Sequence, residues 1–403
     1  MLDIPIKPDI EGLIRNLRRE GTPDRTYYME LFLDREVEDA IIARYDLLRG
    51  LDPADPYFEL RRRIALYRFL GYDAIPAGII GFAFPRDNLN VADDTAGLAR
   101  QSGRAWADET RGVITSWEDF ERYPWPRSEN YDLSQLEWLE KNLPDDMGVY
   151  AGCHSIFEEV TWLMSYQGLC YALYDQPDLV DAMFERIGAL HTEAASILVQ
   201  FSRVRILFGG DDMGYKTSTM IPARILIEKS FPWHARSARL AHEHGKLYLL
   251  HSCGNLTELM PALIEQVQID GRHSFEDTIE PVTVAKRRWG DRVALLGGID
   301  MDLLARGTPE QVRQRVRETL DVCMPGGGYC LGSGNTVANY MLPTISRWRT
   351  IWPCLTRAAD TRRETLHAGF RGRQPGSGSR SSGVRLPSKG RENSPWHATG
   401  RPG

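Results

Sequence analysis

Cysteine is scarce in this chain of 403 residues: six in all, with no CxxC pair. So few and so scattered, they exclude a disulfide framework, and reduced thiols are expected. No uninterrupted apolar run reaches about 18 residues, so no membrane-spanning helix and no membrane partner are expected. The N-terminus, MLDIPIKPDIEGLIRNLRRE, lacks the apolar centre of a secretory signal, and a cytoplasmic location follows as an expectation. Neither GxGxxG nor GxxxxGK[ST] occurs, which removes the usual backbone cradles for dinucleotide and nucleotide phosphates. Excess positive charge is missing too. The net charge is −6, and from Arg371 onward seven basic residues face one acidic residue, so the tail carries +6 and the preceding body −12. A body this acidic argues against nucleic-acid binding.

What is present divides into three parts. Residues 1–70 read as a helical extension, because DREVEDAIIARYDLL and PYFELRRRIALYRFLGY carry apolar residues at three- and four-residue spacing. Residues 71–360 follow another rhythm, of short apolar runs that end at polar or glycine-rich junctions. Candidate strands are 74–82, 112–115, 148–152, 204–210, 246–251, 269–274, 293–298 and 328–333. Helices are expected over 222–245, stopping at Gly245, over 255–267 and 283–290, and over 308–323 with a Thr308/Gln311 capping box. Eight strands alternating with helices predict an α/β fold, a (β/α)8 TIM barrel. Residues 371–403 are rich in Gly, Ser, Pro and Arg and poor in large aliphatics. Such a segment buries too little apolar surface to offset its ordering entropy, and a disordered basic tail is expected.

In a parallel barrel the chemistry sits at the C-terminal strand ends. Those ends carry Asp211 and Asp212, His251 and Cys253, His273 and Glu276, Asp300, and Cys330 followed by Ser333 and Asn335. His251 and Cys253 stand two apart, so extended backbone sends both side chains to one face. Imidazole with thiolate favours zinc over magnesium or calcium. Glu276 is the expected third ligand, with Cys330 or His273 as alternatives. Asp211 and Asp212 are neighbours and point to opposite faces, so at most one meets the barrel mouth. A carboxylate there suits proton transfer or holding a cationic intermediate. Tyr215 and His154 are further catalytic candidates, and Asp300, Ser333 and Asn335 are candidates for holding a small-molecule substrate.

The segments GGDDMG, HSCGNL, IDGRHSFED, LLGGIDMDLLARGTPEQVRQRV and GGGYCLGSGN, in this order and spacing, resemble the uroporphyrinogen decarboxylase superfamily. The resemblance covers roughly residues 150–340. The decarboxylase branch carries an arginine-rich N-terminal signature, and the matching stretch here, PDRTYYMELFLDRE, lacks it. His251, Cys253 and Gly254 are similar to the HxCG motif of the zinc-dependent methyltransferase branch, and Glu276 resembles a carboxylate ligand of that branch. The late cysteine of that branch is replaced by Asn335. The resemblance therefore implies a zinc-dependent methyltransferase that moves a methyl group between a corrinoid or other donor and a thiol-type acceptor. A corrinoid-carrying partner protein and a homodimer come with that reading. The alternatives are a uroporphyrinogen decarboxylase of porphyrin biosynthesis and a non-catalytic binding protein on the same fold, since fold alone does not settle function.

Overall fold

The computed structural model describes residues 6–100 and 102–339, apart from the side chains of Cys153 and His154. The remainder of the expected barrel segment up to 360, and the basic tail, lie outside the described residues. Eight strands form one sheet: β1 (Tyr27–Tyr28), β2 (Ala74–Ala77), β5 (Gly148–His154), β6 (Val204–Gly210), β7 (Leu247–His251), β8 (Gly271–His273), β9 (Ala294–Leu296) and β10 (Tyr329–Leu331). The order is β1-β10-β9-β8-β7-β6-β5-β2, and every neighbouring pair is parallel. Helices fill the crossovers between the later strands, giving the α/β, TIM-like architecture expected from the alternating pattern. A separate antiparallel hairpin, β3 (Leu89–Ala92) with β4 (Arg104–Ala107), is inserted after β2.

The central strands read as unbroken apolar runs because helices cover one sheet face and the barrel interior the other. All five residues of β7 are buried, including Leu247, Leu249 and Leu250. The two ends of the sheet in sequence depart from the expected pattern. The run GVIT at 112–115 is not a strand. The backbone N–H groups of Val113 and Ile114 both donate to the Leu163 carbonyl, at 2.6 and 2.8 Å, so this run packs against a helix end. The missing strand is β1, inside the segment expected to be wholly helical, where Tyr27 and Tyr28 pair with Cys330 and Leu331. The strands from β6 to β10 keep the ordinal places that the sequence assigns them.

The helix Ile10–Leu17 covers the N-terminal end of the barrel. The Ile10 N–H donates to the Asp146 carbonyl at 3.1 Å, and the Gly328 N–H donates to the Asn16 carbonyl at 2.7 Å. The expected helix 222–245 is broken into Ala223–Lys229 and Phe231–Glu243, because Pro232 has no N–H for the helical ladder. Gly245, at φ +69, ends the second piece. The helix Pro309–Cys323 starts with the expected capping box: Gln311 N–H to Thr308 Oγ1 at 3.3 Å and Thr308 N–H to Gln311 Oε1 at 2.7 Å. No helix among the described residues is long and apolar enough to cross a membrane.

Candidate metal centre at the strand ends

Strand register sets the site. Gly210 of β6 lies beside His251 of β7, which lies beside His273 of β8. The loops that follow β6 and β7 then run against each other backbone to backbone. A Cβ on Gly254, which sits at φ +78, would come within 2.3 Å of the Gly214 carbonyl carbon. Glycine is needed there for both space and conformation. This contact brings the loop of Asp212 onto the loop of Cys253.

The two adjacent aspartates part company. Asp211 points inward and is fully buried. It accepts the N–H groups of Phe157 (3.1 Å) and Glu158 (2.8 Å) at the start of the helix Ile156–Met164. It also meets His234 Nε2 at 2.8 Å, and His234 Nδ1 lies 2.6 Å from the Tyr248 hydroxyl. Asp211 thus caps a helix whose own first residues supply no side-chain cap. Asp212 faces the mouth. Its Oδ1 accepts the Cys253 N–H at 2.8 Å and lies 3.3 Å from His251 Nε2. His251 Nε2 is in turn 3.4 Å from Cys253 Sγ. The three donor atoms of Asp212, His251 and Cys253 all lie within 4.8 Å of one another.

Burial and neighbouring charge act on Asp212 and Cys253 of this trio. Burial and the neighbouring Asp212 carboxylate push the Cys253 thiol far above the usual thiol range. Burial also acts to raise Asp212, but the hydrogen bond and charge of His251 outweigh it and hold the carboxyl below its ordinary value. Glu158, on the far side of Asp212, is pushed up to about 8 by burial and by the charges of Asp212 and Asp211. An oxygen, a nitrogen and a sulfur donor converging at one half-buried point match the chemistry of a three-ligand zinc site with one open position. The donor set therefore fits the metal that the residue types suggest.

Around the trio, the supporting contacts are specific. His273 Nδ1 lies 2.7 Å from His251 Nδ1, and burial, together with His251 and Arg272, holds His273 well below the ordinary imidazole value. A neutral His273 can accept the His251 Nδ1–H, leaving Nε2 of His251 free to face Asp212 and Cys253. Asn335 Nδ2 donates to Cys253 Sγ at 3.2 Å. Ser274 sits at φ +110, an unusual conformation for any residue but glycine. Its Oγ donates to the Gly334 carbonyl at 2.9 Å and stands 3.9 Å from Cys253 Sγ. Arg272 is buried beneath the loop, ion-paired to Glu280 at 2.9 Å.

Glu276, Asp300, Cys330 and Ser333 lie apart from the trio. Glu276 is outside the group of mutually close donor atoms; it lines a neighbouring open depression with Asp300 and Asn335. Asp300 is occupied structurally, accepting the N–H groups of Asp302 (2.8 Å) and Asp277 (3.2 Å). Cys330 is fully buried and faces the barrel floor, where Asn16 Nδ2 reaches its sulfur at 3.6 Å. Ser333 is also buried, and its N–H donates to both carboxylate oxygens of Glu30, at 2.9 and 3.1 Å. Tyr215 is exposed and lines the cavity over Asp212. The His154 side chain lies outside the described residues. Sequence reasoning passed over Arg272 and Glu280, whose pairing depends on a buried fold-back, and did not single out His234. Glu158 likewise carries no signal of its own in the sequence, and its nearness to Asp212 emerges only in the fold.

The cavity that opens over Asp212 has a volume of about 540 Å³ and includes Glu158, Trp162, Tyr166 and Met220 in its walls. Residues 109–343, more than half of the chain, match the family described as Uroporphyrinogen decarboxylase (URO-D). The chain is also 33% identical, over 141 residues, to a methylated-thiol–coenzyme M methyltransferase of Methanosarcina mazei. That match covers 34% of this chain and 36% of the relative, so the chain spans about a third of the length of the curated relative it matches. A solved methyltransferase from Methanosarcina mazei superposes with a TM-score of 0.59 at 14% identity, covering 89% of this chain and 99% of that one. At that identity the likeness concerns the fold. Strand ends, site motifs and the matched span agree, and the chain belongs to the uroporphyrinogen decarboxylase family.

Proposed function

We propose that this protein is a metal-assisted methyltransferase in which Asp212, His251 and Cys253 hold zinc. The methyl group moves between a corrinoid, carried by a partner protein, or another methyl donor and a thiol-type acceptor. The observation that carries the reading is the convergence of the three donor atoms within 4.8 Å at the strand ends, beside a cavity of substrate size. The methyltransferase named above supports it from the side of relatedness. Zinc held by these residues would supply positive charge that favours thiolate over thiol, in Cys253 and in an acceptor sulfur brought beside it.

The chain's own residues do the rest. His251 is held in one orientation by His273 behind it. Asp212 receives the Cys253 N–H and so fixes the loop that presents the sulfur. Asp211 acts as a positioning residue, setting the start of the helix that carries Glu158. Asn335 occupies the place of the late cysteine and reaches Cys253 through its amide, so Asp212 takes the third ligand position. Tyr215 stands at the cavity edge, where a substrate passes. The decarboxylase alternative needs cationic partners for a polycarboxylate substrate, and the cavity walls present Asp212, Glu158, Asp108 and Glu109 instead.

Metal analysis of the purified full chain tests this reading. About one zinc per chain, lost in Cys253→Ala and in Asp212→Ala, is expected. Zinc-free protein that converts uroporphyrinogen to coproporphyrinogen would establish the decarboxylase instead, and protein with neither zinc nor turnover would point to a binding role.

A further inference from the structure

We propose that the cavity over Asp212 takes a small methylated cation, a quaternary ammonium or a sulfonium, held between aromatic faces and carboxylates. Two independent features of its walls carry this. The first is charge. Asp108, Glu109, Glu158 and Asp212 all line the cavity, and none of the described residues that line it is Lys, Arg or His. Asp108 in particular stays ionised, because the Thr110 N–H, the Thr110 hydroxyl and the Arg111 N–H all donate to its Oδ1 at 2.7–3.0 Å. Arg86, which packs over the Trp162 ring at 4.2 Å, is tied to Glu159 at 3.4 Å and does not line the space.

The second feature is aromatic surface. Trp106, Trp162, Tyr166 and Tyr215 come from three separate parts of the chain to the same cavity. Trp106 is half exposed, on the β4 side of the inserted hairpin, and Tyr215 is 63% exposed. Large rings left half exposed or more at the rim of a concave site, as Trp106 and Tyr215 are, offer π-faces to a ligand. An onium ion surrounded by such faces gains cation–π attraction without needing hydrogen bonds, and its positive charge meets the carboxylates. An anionic ligand of the same size meets the carboxylates of Asp108 and Glu109 at the rim, with no Lys, Arg or His in the described lining to receive it, and is disfavoured. The methyl-transfer reading supplies the reason for a methylated ligand here; the cation is argued from the walls alone.

Calorimetric titration of the full chain tests the inference, with choline and trimethylsulfonium as the two cationic sources. The comparison ligands are 3,3-dimethyl-1-butanol, a neutral isostere of choline, and 3,3-dimethylbutanoate, its anionic counterpart. At least one cation is expected to bind tenfold or more tightly than the neutral isostere, the butanoate not to bind, and added salt to weaken the cation. Trp106→Ala and Glu109→Gln, both at the exposed rim, are each expected to weaken cation binding by about three- to tenfold, the size of one such contact. Equal binding of the neutral isostere, preferred binding of the anion, or no heat with either cation at millimolar concentration overturns the inference. Parallel zinc analysis separates it from the reading it deepens. Zinc present without cation selectivity sinks the inference alone, and cation selectivity in wild-type protein that holds no zinc sinks the metal reading alone.

Discussion

His251 and His273 face each other through their Nδ1 atoms at 2.7 Å. One of the two must donate, and His251 presents its other nitrogen to Asp212 and Cys253. Among the described residues His273 Nε2 has no hydrogen-bond partner, and the ring is fully buried. For His251 to offer a lone pair from Nε2 to a metal, its Nδ1 must carry the proton and donate to His273. Under the proposed zinc reading, an imidazole stands here where a carboxylate or carbonyl stands behind most metal-binding histidines.

Replacing His273 by Phe removes the acceptor and leaves His251 free to take the wrong tautomer. Zinc affinity, read by chelator competition, is expected to fall about 10- to 100-fold. His273→Gln, whose amide oxygen still accepts, is expected to recover part of that loss. Equal affinity in wild type and His273→Phe would remove His273 from the site.

Asn335→Cys places a second sulfur beside Cys253, where the amide now stands at 3.2 Å. Zinc binding is expected to tighten by at least about tenfold, the low end of what ligand-shell changes are worth. The same competition assay reads the change, and cobalt substitution adds thiolate charge-transfer absorption as a check.

Asp211→Asn keeps the shape of the buried side chain and removes its charge. The carboxylate now serves two backbone N–H groups and His234 with every partner out of water. A loss of about 3 kcal/mol is expected from the denaturant midpoint, because partners are left underpaired. Zinc content of the folded fraction is expected to persist, since Asp211 is turned away from the metal trio.

Glu30 gives a pH signature in stability. Burial pushes its carboxyl up to about 7, against the lowering effect of its Ser333 contacts. A raised acid favours the folded state below the unfolded value, near 4.5, and that contribution is lost as pH rises through about 7. Stability is therefore expected to fall across pH 4.5–7 by up to about 1.4 kcal/mol per pH unit from this group. Glu30→Gln removes the slope, so the difference between wild type and variant, measured by urea unfolding, should change through that window and level off above it. A constant difference from pH 5 to 8 contradicts the assignment.

The amino-acid sequence was most legible where strands are buried on both faces. Leu247–His251 and Val204–Gly210 are apolar runs because a parallel barrel hides both sides of each strand. The same logic misread GVIT, since an apolar run also suits a segment packed on a helix end, as Ile114 is. Tyr27–Tyr28 is a strand of only two residues. Its strand character comes from hydrogen bonds to a partner 303 positions away in sequence, which no local pattern carries.

For the site, two-residue spacing sufficed for His251 and Cys253, because extended backbone repeats its facing every second residue. The opposite facing of Asp211 and Asp212 follows from the same rule. Which of the two meets Cys253 was decided by the Gly214–Gly254 contact between loops from different strands. That contact makes Asp212, and not Glu276, the carboxylate of the trio, and leaves Cys330 facing the floor against Asn16. Local periodicity fixes which way a side chain leaves its own strand; only the stagger of neighbouring strands and the packing of their loops decide which other side chain it meets.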